Sequence, residues 1–414
     1  MPKNVGSSTT IGLGSIFILL NLALHSSRIL RRSIRGLFKK RKWTETNRYG
    51  LEITLQHLYN AIPNEENLSH ILNMEKQLRQ IGLDQDKYDT FIAGSAAERF
   101  SKPLLNGHRL SWDSHAIFSD CDIMISPIDY IVSCSAENNQ EYFVVESKKP
   151  FYMLSETKKL EALRKQLLEE IENNTNYEFI IDECENGPAI KLKKPFQMPS
   201  LCFSDYGYDG DMVLAFKCPE WPKNISDWSL RSDMKWPTVS GVEKIKSYGC
   251  HFVLKTHPTD NRFKWRISFS RAEIELSTFV PQEARKSYIG LKVIAKDYLY
   301  IICGKLTSYH LKNIFLFTLE RTDPTFWSTE NVRKSFNLIL SNLMDCIEAK
   351  NCPNFWFSEI NMFENFTTRD CKTLLKKLEK IKKQPSKFIE PFNSDLLKDE
   401  LEAARYEESV ASRS

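Results

Sequence analysis

The sequence predicts an α+β fold on three observations. Two short apolar runs of strand character lie within residues 91–125; one ends at Gly94-Ser95 and the other carries Asp120 and Asp122. A third strand-like run, Asp211 through Phe216, also opens on a carboxylate. Beyond residue 280 the pattern turns helical, with apolar residues recurring every three or four positions.

The strands carry the chemistry. Alternate residues of a strand point to one face, so Asp120 and Asp122 are expected to project together. Paired carboxylates repel unless a cation lies between them, and Mg²⁺ takes oxygen ligands while keeping phosphate oxygens as partners. A Gly-Ser turn lets the backbone approach a phosphate and adds a hydroxyl. Order and chemistry together suggest a nucleotidyltransferase, with Gly94 and Ser95 for a triphosphate and Asp120, Asp122 and Asp211 for two Mg²⁺ or Mn²⁺ ions.

The 414 residues carry a net charge of +4, unevenly spread. The first 44 residues hold nine Lys or Arg and no acid, so the remainder is near −5. Any nucleic-acid surface on the body is therefore a local patch. Ten cysteines without a C-x-x-C pair read as reduced thiols of a cytoplasmic protein, and Cys250-His251 reads as core packing. Residues 11–24 are apolar but shorter than the ~20 residues that span a bilayer. Arg28, Arg31, Arg32, Arg35, Lys39, Lys40, Arg41 and Lys42 follow. A signal anchor with a cytosolic body, a mitochondrial presequence and a basic arm touching anionic lipid or nucleic acid all remain open for residues 11–42.

Residues 48–61 and 65–82 read as helices, and 154–172 as a solvated helix. Tyr177 to Asp182 and Ala189 to Leu192 flank Gly187-Pro188 and read as a strand pair. From Cys218 to Pro258 the chain is rich in Trp and Pro and is expected to form an irregular wrap. Helices are expected at 281–301, 308–319, 329–348 and 367–383. The last carries a basic face, either a solvated surface or a contact for phosphate backbones. Residues 394–414 read as a polar tail.

Ordered blocks along residues 48–392 resemble the Mab-21 family, and within it the cyclic GMP-AMP synthase-like receptors. They are Gly94-Ser95, Ser119-Asp-Cys-Asp122, Asn186-Gly-Pro-Ala-Ile190, Asp211 through Trp221-Pro222, Gly249-Cys-His251, Trp265-Arg-Ile-Ser-Phe-Ser270, Ser308-Tyr-His-Leu-Lys312 and Phe355-Trp-Phe357. The resemblance implies a bilobed nucleotidyltransferase fold: a mixed β-sheet catalytic core with a spine helix (46–245) and a C-terminal helical bundle lobe (246–393), preceded by the segment 1–45. It implies that Arg266, Ser268 and Glu273 contact nucleotide, that Lys292 faces phosphate, and that Ser308, Tyr309 and Lys312 complete the nucleotide site. Tyr309 is then a base-stacking ring; on spacing alone it is equally a half-buried core tyrosine. The resemblance also implies nucleoside triphosphates (ATP or GTP) as substrates and double-stranded nucleic acid, RNA first, as activator, in innate immune signalling.

Two departures from the family pattern stand out. Ser277 to Lys286 hold no Cys or His where the vertebrate synthase has a zinc-binding insert, so no zinc is expected. Arg99 stands where many relatives have Gly. The competing reading is a catalytically silent Mab-21 scaffold tethered to a membrane. Which nucleotides are joined, and whether ligand induces a dimer, stay open.

Overall fold

The computed structural model describes residues 51, 54–56, 86–100, 121–128, 132–134, 142–143, 145–147, 166, 169, 179–180, 190–192, 210–222, 228–257 and 260–389. Residues Gly50–Ser414 cluster as one compact unit. The expected segments 1–45 and 394–414 lie outside the described residues, as does most of 48–82. Leu51 and Leu55 of the expected spine helix are helical and buried.

The strands are β1 (Tyr88–Ala93), β2 (Cys121–Pro127), β3 (Val132–Cys134), β4 (Tyr142–Phe143), β5 (Val145–Ser147), β6 (Phe179–Ile180), β7 (Ile190–Leu192), β8 (Gly210–Cys218), β9 (Cys250–His257) and β10 (Asp260–Ser268). Among them, eight form one mixed sheet in the order β1-β2-β8-β9-β10-β4, with β7 also on β8 and β6 on β7. The strand pair expected across Gly187-Pro188 is β6–β7.

The period of two explains why these runs are strands. Ile123, Ile125, Leu214, Phe216 and Phe252 join the main core, while Met124, Ala215 and Val253 pack with Phe91 and Ala93 in a smaller cluster. Residues adjacent in sequence therefore face opposite sides of the sheet, and both sides are covered.

The helices are α1 (Gly94–Ala97), α2 (Val239–Ser247), α3 (Ser270–Thr278), α4 (Gln282–Ile294), α5 (Ser308–Arg321), α6 (Val332–Glu348) and α7 (Thr368–Lys383). A π-helical turn, Ala295–Leu299, continues α4. In α6, Val332, Ser335, Phe336, Ile339, Leu340, Leu343 and Ile347 make one buried stripe, the amphipathic pattern of a helix packed on a core. Thr367 and Asp370 form a capping box that starts α7. By contrast, α4 is buried on every side. Gly290 gives it room, because a Cβ there would lie 2.3 Å from Leu55 Cδ2.

The wrap expected from Cys218 to Pro258 is a correction. That stretch contains α2 and β9, and β9 pairs with β8 and β10. Its tryptophans, Trp221, Trp228 and Trp236, are core residues: Trp221 packs on Phe269, and Trp228 on Trp356 with centroids 5.1 Å apart. The sheet thus runs past residue 246, the boundary expected between the lobes.

Candidate functional site

Strand register brings the first part of the site together. Ala93 pairs with Asp122 across β1 and β2, and Asp122 pairs with Asp211 across the parallel strands β2 and β8. Neighbouring strands lie about 4.8 Å apart, so Gly94-Ser95 and two acidic positions occupy the same end of three adjacent strands. Asp122 is half-buried. Such a set of oxygen donors suits a hard divalent cation. Asp120, one residue before β2, lies outside the described residues. No group of three or more His, Cys, Asp or Glu able to hold a metal occurs among the described residues.

The turn after β1 is built by two left-handed residues. Gly94 has φ 76° and Arg99 has φ 57°. Between them α1 makes a single turn, closed by Glu98 N donating to Gly94 O (3.1 Å) and Phe100 N to Ser95 O (2.8 Å). Glycine adopts this conformation freely, whereas a residue with a side chain does so at about 1 kcal/mol. The structure thus shows why glycine suits position 99 and what Arg99 imposes there.

Three cations from α4 and α5 hold this turn. Lys292, nearly buried, donates to Ser95 Oγ and to the Phe100 carbonyl, each at 2.9 Å. Arg285 donates to the carbonyls of Glu98 (2.7 Å) and Arg99 (3.0 Å). Lys312 bridges two carboxylates, donating to Glu98 Oε1 (2.9 Å) and Glu273 Oε2 (2.8 Å). The other Glu273 oxygen accepts from Trp356 Nε1 at 3.1 Å.

The buried Glu98 and the partly buried Glu273 therefore share one ammonium. Burial, aided by the nearby Glu273 charge, pushes the Glu98 carboxyl up to about 7 against the pull of Lys312. Burial also works against the Lys312 charge, but Glu273 and Glu98 outweigh it and hold the ammonium above the ordinary lysine range. Both groups shift upward because the trio has one positive charge for two negative ones, and Glu98 is the deeper carboxylate (3% against 13% side-chain exposure for Glu273).

The remaining expected residues lie nearby in part. Ser268 ends β10, half-buried, its Oγ 2.7 Å from Ser270 Oγ. Arg266 lies on β10 opposite Val253 and Tyr142, its side chain outside the described residues. Ser308 and Tyr309 open α5, and the Tyr309 ring is 41% exposed with Lys312 Nζ 5.5 Å from its centroid. Lys292, expected to face phosphate, and Lys312, expected in the nucleotide site, are bonded to protein groups in this structure.

Sequence reasoning missed Glu98, Arg285 and Trp356 as parts of the site. Glu98 followed Gly94-Ser95 closely, but nothing local marked it as buried. The Cys250-His251 pair is core as expected: both are buried, and the His251 ring tilts against Phe91 at 5.3 Å. Burial, then the Arg271 charge, lowers that imidazole to about 4, so it is neutral.

Two family models match the chain. The Mab-21 protein nucleotidyltransferase domain matches residues 135–276, which include Asp211, Arg266, Ser268 and Glu273. The Mab-21 protein HhH/H2TH-like domain matches residues 292–380, which include Lys292, Ser308, Tyr309 and Lys312. Gly94, Ser95, Asp120 and Asp122 precede both matches. The fold is a mixed α+β nucleotidyltransferase-type domain with a C-terminal helical part, and the two matches together span more than half of the 414 residues. The chain belongs to the Mab-21 family.

Proposed function

We propose that this protein is a metal-dependent nucleotidyltransferase that joins two nucleoside triphosphates, ATP or GTP, into a cyclic dinucleotide when it meets double-stranded nucleic acid, RNA first, in innate immune signalling. The observation that carries the reading is the register that aligns Asp122 with Asp211 beside the Gly94-Ser95 turn. Asp120, Asp122 and Asp211 would hold Mg²⁺ or Mn²⁺, which when bound neutralise charge on the attacking and leaving oxygens. Gly94 and Ser95 would seat the donor triphosphate, with Lys292 behind the Ser95 hydroxyl. The exposed face of Tyr309 would stack on a base. Arg266, Ser268, Glu273, Ser308 and Lys312 would shape the rest of the nucleotide site. The protein's contribution is then positioning and charge stabilisation.

The test is incubation with Mg²⁺ or Mn²⁺ and four labelled triphosphates, with double-stranded RNA, double-stranded DNA or neither. A phosphatase-resistant product that requires one nucleic acid and is absent in Asp122→Asn is the expected result. One observation favours the second reading, a silent scaffold tethered through residues 11–42: Lys292 and Lys312 already have protein partners. Folded protein that made no product under any of these conditions would decide for it.

A further inference from the structure

We infer that Arg285 is a positioning residue for the triphosphate-binding turn, acting by fixing Arg99 in the left-handed backbone conformation. This rests on the reading of Gly94-Ser95 as a nucleotide site. The turn needs positive φ at both ends, at Gly94 (76°) and at Arg99 (57°). Glycine meets the first requirement by itself. At the second, a residue with a Cβ must be held in place from outside.

Arg285 supplies that hold with the correct geometry. The Glu98 carbonyl belongs to the peptide before the Arg99 Cα, and the Arg99 carbonyl to the peptide after it. One guanidinium nitrogen of Arg285 donates to both, at 2.7 and 3.0 Å. Pinning both flanking peptides fixes φ and ψ at Arg99, the two soft dihedrals of that residue. The other terminal nitrogen donates to the Ser277 carbonyl at 2.6 Å, which ties the fork to the end of α3. The guanidinium carbon also lies 5.0 Å from the Phe100 ring centroid, and only 7% of Arg285 is exposed. A lysine has no fork and cannot reproduce these directions. If Arg99 left this conformation, the chain between Ser95 and Phe100 would shift, and with it the Ser95 hydroxyl and the Glu98 carboxylate.

The inference predicts a specific epistasis. Full-length Arg285→Met, Arg285→Lys, Arg99→Gly and the Arg285→Met/Arg99→Gly double variant would be titrated with a non-hydrolysable ATP analogue and Mg²⁺ by calorimetry. Amide exchange at residues 95–100 would be followed in parallel. Arg285→Met should weaken binding at least about tenfold, in keeping with the cost of ångström-scale misplacement, and speed exchange in the turn. Arg285→Lys should fall between it and wild type. Adding Arg99→Gly should return both affinity and protection towards wild type, because glycine needs no clamp. If Arg285→Met does not fold alone, recovery of folding and binding in the double variant carries the same result. A purely structural role would leave the double variant as impaired as the single one, and that outcome overturns the inference. Unchanged affinity in Arg285→Met, with wild type binding normally, overturns it as well. A folded wild type that bound no triphosphate would instead overturn the nucleotide-site reading and this inference with it.

Discussion

Asp122 stands directly opposite Asp211 in the parallel pairing of β2 and β8. Their alignment makes a strong demand on the first experiment. Asp122→Asn or Asp211→Asn should lower metal-dependent turnover by at least about 10²-fold, the scale seen when one transition-state charge stabiliser is lost. Each should also remove the thermal stabilisation that Mg²⁺ or Mn²⁺ gives through linkage. Turnover that survived either change would remove these carboxylates from the chemistry.

Lys312 is the only ammonium bridging Glu98 and Glu273 among the described residues. Lys312→Met leaves the buried Glu98 and the partly buried Glu273 without their shared cation. Breaking a buried pair in this way costs roughly 3–5 kcal/mol. Urea unfolding of Lys312→Met against the milder Lys312→Met/Glu98→Gln pair measures it. Equal losses in both would mean that the charges are not coupled.

The raised Glu98 carboxyl gives a pH dependence with a definite sign. Its folded value, about 7, lies above the ordinary 4.5. The folded state therefore binds more protons in that window, and stability from this group falls as pH rises from about 4.5 to 7. The full change is on the order of 3 kcal/mol. Unfolding free energies measured across this range should show the decline in wild type and a flatter profile in Glu98→Gln. A rise with pH that depended on Glu98 would reverse the assignment.

Gly249 has φ 62°, and a Cβ there would lie 2.1 Å from the Cys218 carbonyl oxygen. The obstacle is backbone, so it cannot rotate aside. Gly249→Ala should cost at least about 2 kcal/mol by overpacking and strain. A denaturation midpoint like that of wild type would contradict the close approach of β8 and the start of β9.

Tyr309 separates binding from folding. Its ring is 41% exposed, so Tyr309→Ala should leave the melting temperature nearly unchanged. Loss of base stacking, about 1–3 kcal/mol, should raise the nucleotide KM some 10- to 100-fold, and Tyr309→Phe should restore it. If instead Tyr309→Ala melted early with normal KM, the ring would be structural.

Much of this protein was legible in the sequence, because local rules govern it. The apolar runs at 91–93, 123–125 and 213–216 are short and continuous, as in strands covered on both faces, and became β1, β2 and β8. The helical stripes at 308–319 and 367–383 became α5 and α7 within two residues at either end. The acidic positions Asp122 and Asp211, and the Gly94-Ser95 turn, were visible for the same reason: their neighbours mark them as strand ends.

Only the tertiary structure decided what surrounds that turn. Glu98, Arg285, Lys292, Glu273 and Lys312 are separated by up to 214 residues, yet they share one buried network. In sequence Glu98 and Arg285 are ordinary charges, and Glu273, Lys292 and Lys312 stand out only through the family resemblance. Burial turns them into partners, since a desolvated charge is stable only where opposite charge or hydrogen bonds meet it. Similarly, the Trp- and Pro-rich stretch around residues 221 to 236 suggested an irregular wrap, and packing placed its tryptophans in the core beside α2 and β9. Sequence specified the strands and the residues at their ends; long-range packing specified which cations hold the loop, because that depends on distances no local pattern encodes.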